Sequence, residues 1–119
     1  MSRVKVTYPT LSRSELVERL TKSSLDLRKI LPVTRIILFG SYALNRFTAA
    51  SDIDLLVVYE DPERQDAYRT IADQLRVPRL EARIYTENQY KAILKESPKF
   101  ARTLASEGIW ILGEAKADG

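Results

Sequence analysis

Cysteine and histidine are both absent from this chain of 119 residues. Without cysteine there is neither a disulfide framework nor a thiolate metal site. Without histidine, Ser-His catalysis, zinc–histidine centres and imidazole general bases are all excluded. Acid–base or metal chemistry is left to carboxylates, lysine, tyrosine and hydroxyls. An excess of one charge is missing too: 19 Lys and Arg stand against 16 Asp and Glu, for a net charge of +3. That is too mild a balance to mark a basic stripe, so direct nucleic-acid binding is not expected. No apolar run approaches the roughly 20 residues that span a bilayer. The N-terminus also lacks the apolar stretch of a signal peptide, so the expectation is a cytoplasmic protein with no membrane partner.

What remains is 45% hydrophobic and 29% charged, the composition of a soluble globular domain. The length predicts a single domain over 1–112, with 113–119 a disordered tail and Met1–Pro9 a loose extended arm. Ser12 with Glu15 three residues on is a capping box, so a helix starts there. Leu16, Val17, Leu20, Leu27, Ile30 and Leu31 give it an apolar stripe, with Ser24 a small residue on the same side, and Pro32 ends it. Arg35–Phe39 reads as a buried strand, Tyr42–Arg46 as one helical turn and Asp52–Tyr59 as a second strand. Asp61-Pro62 has the pattern of an N-cap followed by proline at the first helical position. The helix predicted after it presents Ala67, Tyr68, Ile71, Ala72 and Leu75 on one face. Leu80–Tyr85 is a third strand, Thr86 with Gln89 a second capping box, and Ser97-Pro98 the start of a last helix that Gly108 stops. Ile109–Leu112 closes the chain as a short strand. The order predicts an α/β (α+β) domain: a small mixed sheet of about four strands with helices packed on it.

The chemistry concentrates in Leu38-Phe39-Gly40-Ser41, a nine-residue connection, and Ser51-Asp52-Ile53-Asp54. Asp52 and Asp54 are two apart at the head of a strand, so both carboxylates point to one sheet face. Uncompensated acids are costly on a buried strand. Divalent cations with oxygen ligands would remove that cost. Gly40 lets a phosphate approach the backbone closely, and the amides of the next turn with the Ser41 hydroxyl can hold its oxygens. Seven aspartates in this length give about 0.4 Asp-x-Asp pairs by chance. The weight therefore lies in the combination of apolar strand, Gly-Ser, loop, Asp-x-Asp and second apolar strand.

Gly40-Ser41, the connection and Asp52-Ile53-Asp54 resemble the signature of the DNA polymerase beta-like nucleotidyltransferase superfamily. The short single domain is similar to its minimal nucleotidyltransferases, which are often encoded beside a HEPN-domain protein. The resemblance runs from about Arg35 to Tyr85 and more loosely to Trp110. It implies the polymerase beta-like fold and a third carboxylate on the neighbouring strand, where Glu81 is the candidate. Asp52 and Asp54 would then ligate two Mg²⁺ ions and Glu81 one of them, with all three acids catalytic. Gly40, Ser41, Ser51 and Arg46 become the nucleotide-binding candidates. Two departures stand out. Tyr42-Ala43-Leu44-Asn45-Arg46 replaces the Ala-Arg-Gly run of many members, and glutamate stands where the third acid is more commonly aspartate.

The resemblance further implies transfer of a nucleoside monophosphate, AMP from ATP, to a hydroxyl such as a tyrosine of a HEPN-domain partner, with this chain the antitoxin of the pair. Two other readings stay open: a module of the same fold that occludes its partner without chemistry, and a transferase for RNA or a small molecule. A homo-oligomer is also open. Lys91, Lys95, Lys99 and Arg102 read as a solvated basic face, or as a dock for an acidic partner. Trp110 reads as core or as a partner-facing aromatic, and Glu87 as a first-turn acid favoured by the helix dipole.

Overall fold

The structure is a computed structural model and describes residues 11–48 and 50–113. The expected N-terminal arm and all of the expected tail beyond Gly113 lie outside the described residues. Among the described residues nine elements follow in order: α1 (Arg13–Leu27), β1 (Val33–Phe39), α2 (Gly40–Ala43), β2 (Ile53–Tyr59), α3 (Ala67–Leu75), β3 (Leu80–Thr86), α4 (Glu87–Glu96), α5 (Pro98–Glu107) and β4 (Ile109–Leu112).

The strands form one mixed sheet in the order β3-β2-β1-β4. β1 pairs antiparallel with both β2 and β4, while β2 and β3 run parallel, joined by α3. A parallel neighbour requires such a crossover, because a tight hairpin can only reverse the chain. The central strands carry apolar residues on both faces, and helices cover both. On one side Leu16, Leu20 and Leu27 of α1 and Ala67, Ile71 and Leu75 of α3 pack on Ile36, Leu38, Ile53, Leu55 and Val57. On the other, Tyr90 of α4 and Leu104 of α5 pack on Ile37, Leu56 and Val58, with Phe39, Tyr85, Leu94, Phe100 and Trp110 around them. The period-2 alternation of each strand thus feeds two separate clusters. The predicted sheet of about four strands with packed helices is borne out.

Local signals set most helix ends. Ser12 and Thr86 each close a complete capping box, and the Ser97 hydroxyl accepts from the Phe100 amide ahead of Pro98. Gly108 ends α5 where only glycine fits: a Cβ there would lie 2.7 Å from both Ile37 Cγ2 and the Leu104 carbonyl. Trp110 packs on the α4–α5 side and donates from Nε1 to the Leu104 carbonyl at 3.2 Å.

Four expectations are corrected. Asp61-Pro62 does not start a helix; α3 begins at Ala67, with Asp66 at its N-cap position. The Asp61 carboxylate instead accepts from the Asn88 amide at the head of α4, and the Tyr59 hydroxyl accepts from the Arg64 amide, so tertiary contacts hold the segment away from a helical path. Tyr68 lies outward, 54% exposed, because α3 buries the stripe of Ala67, Ile71 and Leu75. Ile30 falls past the end of α1 and is also exposed. The turn after β1 starts at Gly40, two residues before the predicted Tyr42.

Candidate active site

β1 ends at Phe39, and Gly40 turns the chain into α2 with φ at +75°. L-residues with a side chain rarely adopt that conformation. There is a second reason for glycine. A Cβ on Gly40 would sit 2.2 Å from Asp54 Oδ2 and 3.2 Å from Asp54 Cβ. The Asp54 carboxylate therefore lies directly against the Gly40 backbone. The pairing explains it: Phe39 is the register partner of Asp54 across β1 and β2. Ser41, in the first turn of α2, is the next residue beside this contact.

On the opposite side of β2, the register partner of Asp54 is Glu81 of β3. Partners in a ladder project to the same face. Glu81, Asp54 and Phe39 therefore form one row across three strands, on the face that α4 and α5 cover farther along. Glu81 is exposed, and Asp54 and Phe39 are half-buried. Asp52 lies one residue before β2 and is exposed. Partial burial pushes the Asp54 carboxyl above its ordinary value, and the negative charges of Asp52 and Glu81 push it the same way; Arg83 partly opposes them. Among the described residues none of the three acids takes part in an ion pair, and Glu81 has no salt bridge to Arg79 or Arg83.

Three free carboxylates offering only oxygen donors have the chemistry that suits a hard divalent cation such as Mg²⁺. Among the described residues, however, no three acidic side chains are gathered into a finished metal centre. The ladder brings Asp54 and Glu81 to one face, with Asp52 one residue before β2. Asp52, Asp54 and Glu81 suit such an ion by donor type, and register sets only Asp54 and Glu81 side by side.

The remaining sequence candidates are less uniform. Arg46 is exposed, and its amide bonds to the Ser41 carbonyl after Asn45 takes a left-handed φ of 59° that stops α2. The Ser51 hydroxyl accepts from the Thr48 amide at 2.8 Å, so it closes the loop that precedes Asp52. Tyr42 is buried and stacks on Phe47 at a centroid distance of 4.1 Å, which makes it packing rather than a free surface for a base. Two residues not singled out for the site lie at it. The Arg83 guanidinium sits 5.7 Å from the centre of the Phe39 ring, at the end of the acid row. Alternation along β3 places Arg83 on the same face as Glu81, a signal present in the sequence once β3 is known.

The family model of the nucleotidyltransferase domain matches residues 20–111. A curated relative from Methanocaldococcus jannaschii, named "Putative protein adenylyltransferase", is 45% identical over 49 residues, covering 41% of this chain and 50% of that protein. The match thus spans about half the length of that relative. Among solved structures, a "putative nucleotidyltransferase" from Sulfolobus solfataricus superposes with a TM-score of 0.52 at 13% identity, covering 90% of each chain. The antitoxin-type complex described as a tri-AMPylated Shewanella oneidensis HEPN toxin with MNT antitoxin gives 0.51 at 17% identity, over 86% of this chain and 73% of that one. At those identities the two solved structures speak for the fold.

Proposed function

This chain belongs to the nucleotidyltransferase domain family, and from that premise we propose that it moves AMP from ATP onto a side-chain hydroxyl of a partner protein. The observation that carries the reading is the row of Glu81 and Asp54, with Asp52 beside it, set against the glycine turn of Gly40-Ser41. Acids left without counter-charge on a sheet face are costly to maintain. A ligand that brings cations and phosphates to them repays that cost.

In this reading Asp52, Asp54 and Glu81 hold Mg²⁺, which when bound supplies charge neutralisation at the phosphates and lowers the barrier to attack by a hydroxyl. Gly40 leaves room for the phosphate chain against the backbone, and the Ser41 hydroxyl and Arg46 are its contacts. Ser51 shapes the loop that delivers Asp52. The acceptor oxygen attacks the α-phosphorus, the bond from that phosphorus to the bridging oxygen breaks, and pyrophosphate leaves with the electron pair. The hydroxyl proton is released to solvent. The protein's work is positioning and charge stabilisation.

The partner we propose is a HEPN-domain protein, with this chain as the antitoxin and a partner tyrosine as the acceptor. The pairing named for the Shewanella oneidensis complex and the adenylyltransferase name of the archaeal relative support this choice. The test is incubation with ATP labelled at the α-phosphate and Mg²⁺, with and without the protein product of the adjacent reading frame. Label should appear on that product and disappear with Asp54→Ala. Tight association without labelling would favour an occluding module instead. Label on RNA or a small molecule would move the acceptor class.

A further inference from the structure

Among the cations within the paired strands, Arg83 is the nearest to the acid row. It belongs to β3, and its ladder partner is Leu56 of β2, two residues along from the Asp54–Glu81 pair and so on the same face. Yet its guanidinium reaches the ring of Phe39, which belongs to β1. Two strand spacings, roughly 9.6 Å, separate β3 from β1. The Arg83 and Phe39 side chains therefore meet over the intervening β2, with the guanidinium at the aromatic ring that follows Asp54 in the row. Such a perch is a cation–π contact, which holds a guanidinium in place without using its hydrogen bonds. Arg83 is exposed, and among the described residues it forms no salt bridge to any carboxylate. Its charge is felt at Asp54, and its five N–H donors make no side-chain hydrogen bond among the described residues.

A guanidinium that merely neutralised the acids would be expected in bidentate contact with one of them. This one is held off by a ring. From that arrangement, and resting on the transferase reading above, we infer that Arg83, perched on Phe39, is a phosphate contact for the incoming nucleoside triphosphate. With divalent cations on Asp52, Asp54 and Glu81, the charge around Arg83 turns positive, and the anion that relieves it is the phosphate chain arriving with those cations. The planar fork suits two non-bridging oxygens, which a lysine ammonium cannot match. Gly40-Ser41 and Arg83 then flank the acids from β1 and from β3, and the phosphates lie between them.

The test is nucleotide binding by titration calorimetry on the full chain, with Mg²⁺ and again with a chelator, so that the result does not depend on transfer. Arg83→Gln should weaken ATP binding about tenfold or more, as loss of a charge-assisted bidentate contact does. AMP should be affected less and adenosine not at all. Arg83→Lys should fall between, since it keeps the charge and loses the fork. Phe39→Leu should weaken ATP binding only about two- to threefold, by loosening the perch. Circular dichroism and thermal unfolding check that each variant is folded, and the Arg83→Lys comparison carries the test should Arg83→Gln be unstable. Unchanged ATP affinity in folded Arg83→Gln overturns the inference while leaving the transferase reading intact. An equal loss for adenosine also overturns it, because that would mark a base contact or a structural role. Failure of the unaltered chain to bind ATP sinks the transferase reading and this inference with it.

Discussion

Asp54 and Glu87 are both half-buried carboxylates at the α4–α5 side of the sheet, and their surroundings are opposite. Glu87 receives the Arg35 guanidinium at 3.1 Å and a hydrogen bond from the Thr34 hydroxyl, while Arg35 also lies over the Tyr90 ring. Burial alone would raise the Glu87 carboxyl; the bonds from Thr34 and Arg35, with the charge of Arg35, outweigh burial and hold it below its ordinary value. Asp54 has burial acting in the same direction and two further acids adding to it. One carboxylate is satisfied by its own chain, and the other is left wanting. The first is how a fold uses charge to fasten α4 to β1. The second has no bonded partner among the described residues, and that difference is the reason Asp54 stands at the centre of the proposed function.

Substitution separates the two acids. Asp54→Ala should cut transfer by at least about a hundredfold, the order seen when a charge-stabilising group is removed. Thermal unfolding should show no loss of stability, because an unfavourable charge is removed. A clear fall in melting temperature would mean that Asp54 is structural after all. Next, Gly40→Ala should reduce transfer about tenfold or more by pushing the Asp54 carboxylate aside. It should also cost about 1–2 kcal/mol in denaturant unfolding for a left-handed residue bearing a side chain. Retention of full activity would show that the close approach is dispensable. Glu87→Gln should do the reverse of Asp54→Ala: a loss of about 1–3 kcal/mol of stability, from leaving part-buried Arg35 without its charged partner, with transfer within about twofold of normal.

Acidity separates the two groups more finely. The lowered Glu87 contributes stability that is present above its unfolded value, near 4.5, and is lost as the pH falls through its folded value. The raised Asp54 runs the other way: its contribution is full below the unfolded value of 3.8 and is lost as the pH rises through its folded value. Melting temperatures between about pH 3 and 6 should therefore decline less steeply with acid in Glu87→Gln and more steeply in Asp54→Asn. Parallel profiles for the two variants would erase the distinction.

The chain states much of this in its local chemistry. Both capping boxes, Ser97-Pro98, the apolar strands and the Gly-Ser turn are short-range patterns, and they lie where their spacing puts them. Asp61-Pro62 shows the limit. It carries a good helix-start pattern, and Asp61 caps a different helix, 27 residues on, because the fold brings the head of α4 to it. Glu87 is similar: its place in a first helical turn was legible, and its bond to Arg35, 52 residues away, was not. The pairing of Asp54 with Glu81 belongs to the same class. Which acid of a third strand stands beside Asp54 depends on register, and only the resemblance to a known family pointed to Glu81. Arg83 was legible as a neighbour of Glu81, but not its reach to Phe39 across an intervening strand.

The parallel pairing of β2 with β3 also makes the third acid a late arrival. Asp52 and Asp54 follow the Gly-Ser turn closely, so a nascent chain has all of these within one β-hairpin. Glu81 joins only after the segment between Tyr59 and Leu80 has wrapped over the sheet and found its register. A slip of one residue would turn Glu81 to the opposite face. Long-range parallel contacts of this kind are slow to form compared with hairpins. In the proposed function, nucleotide chemistry is thereby tied to completed topology, and a half-synthesised copy would have two of the three acids.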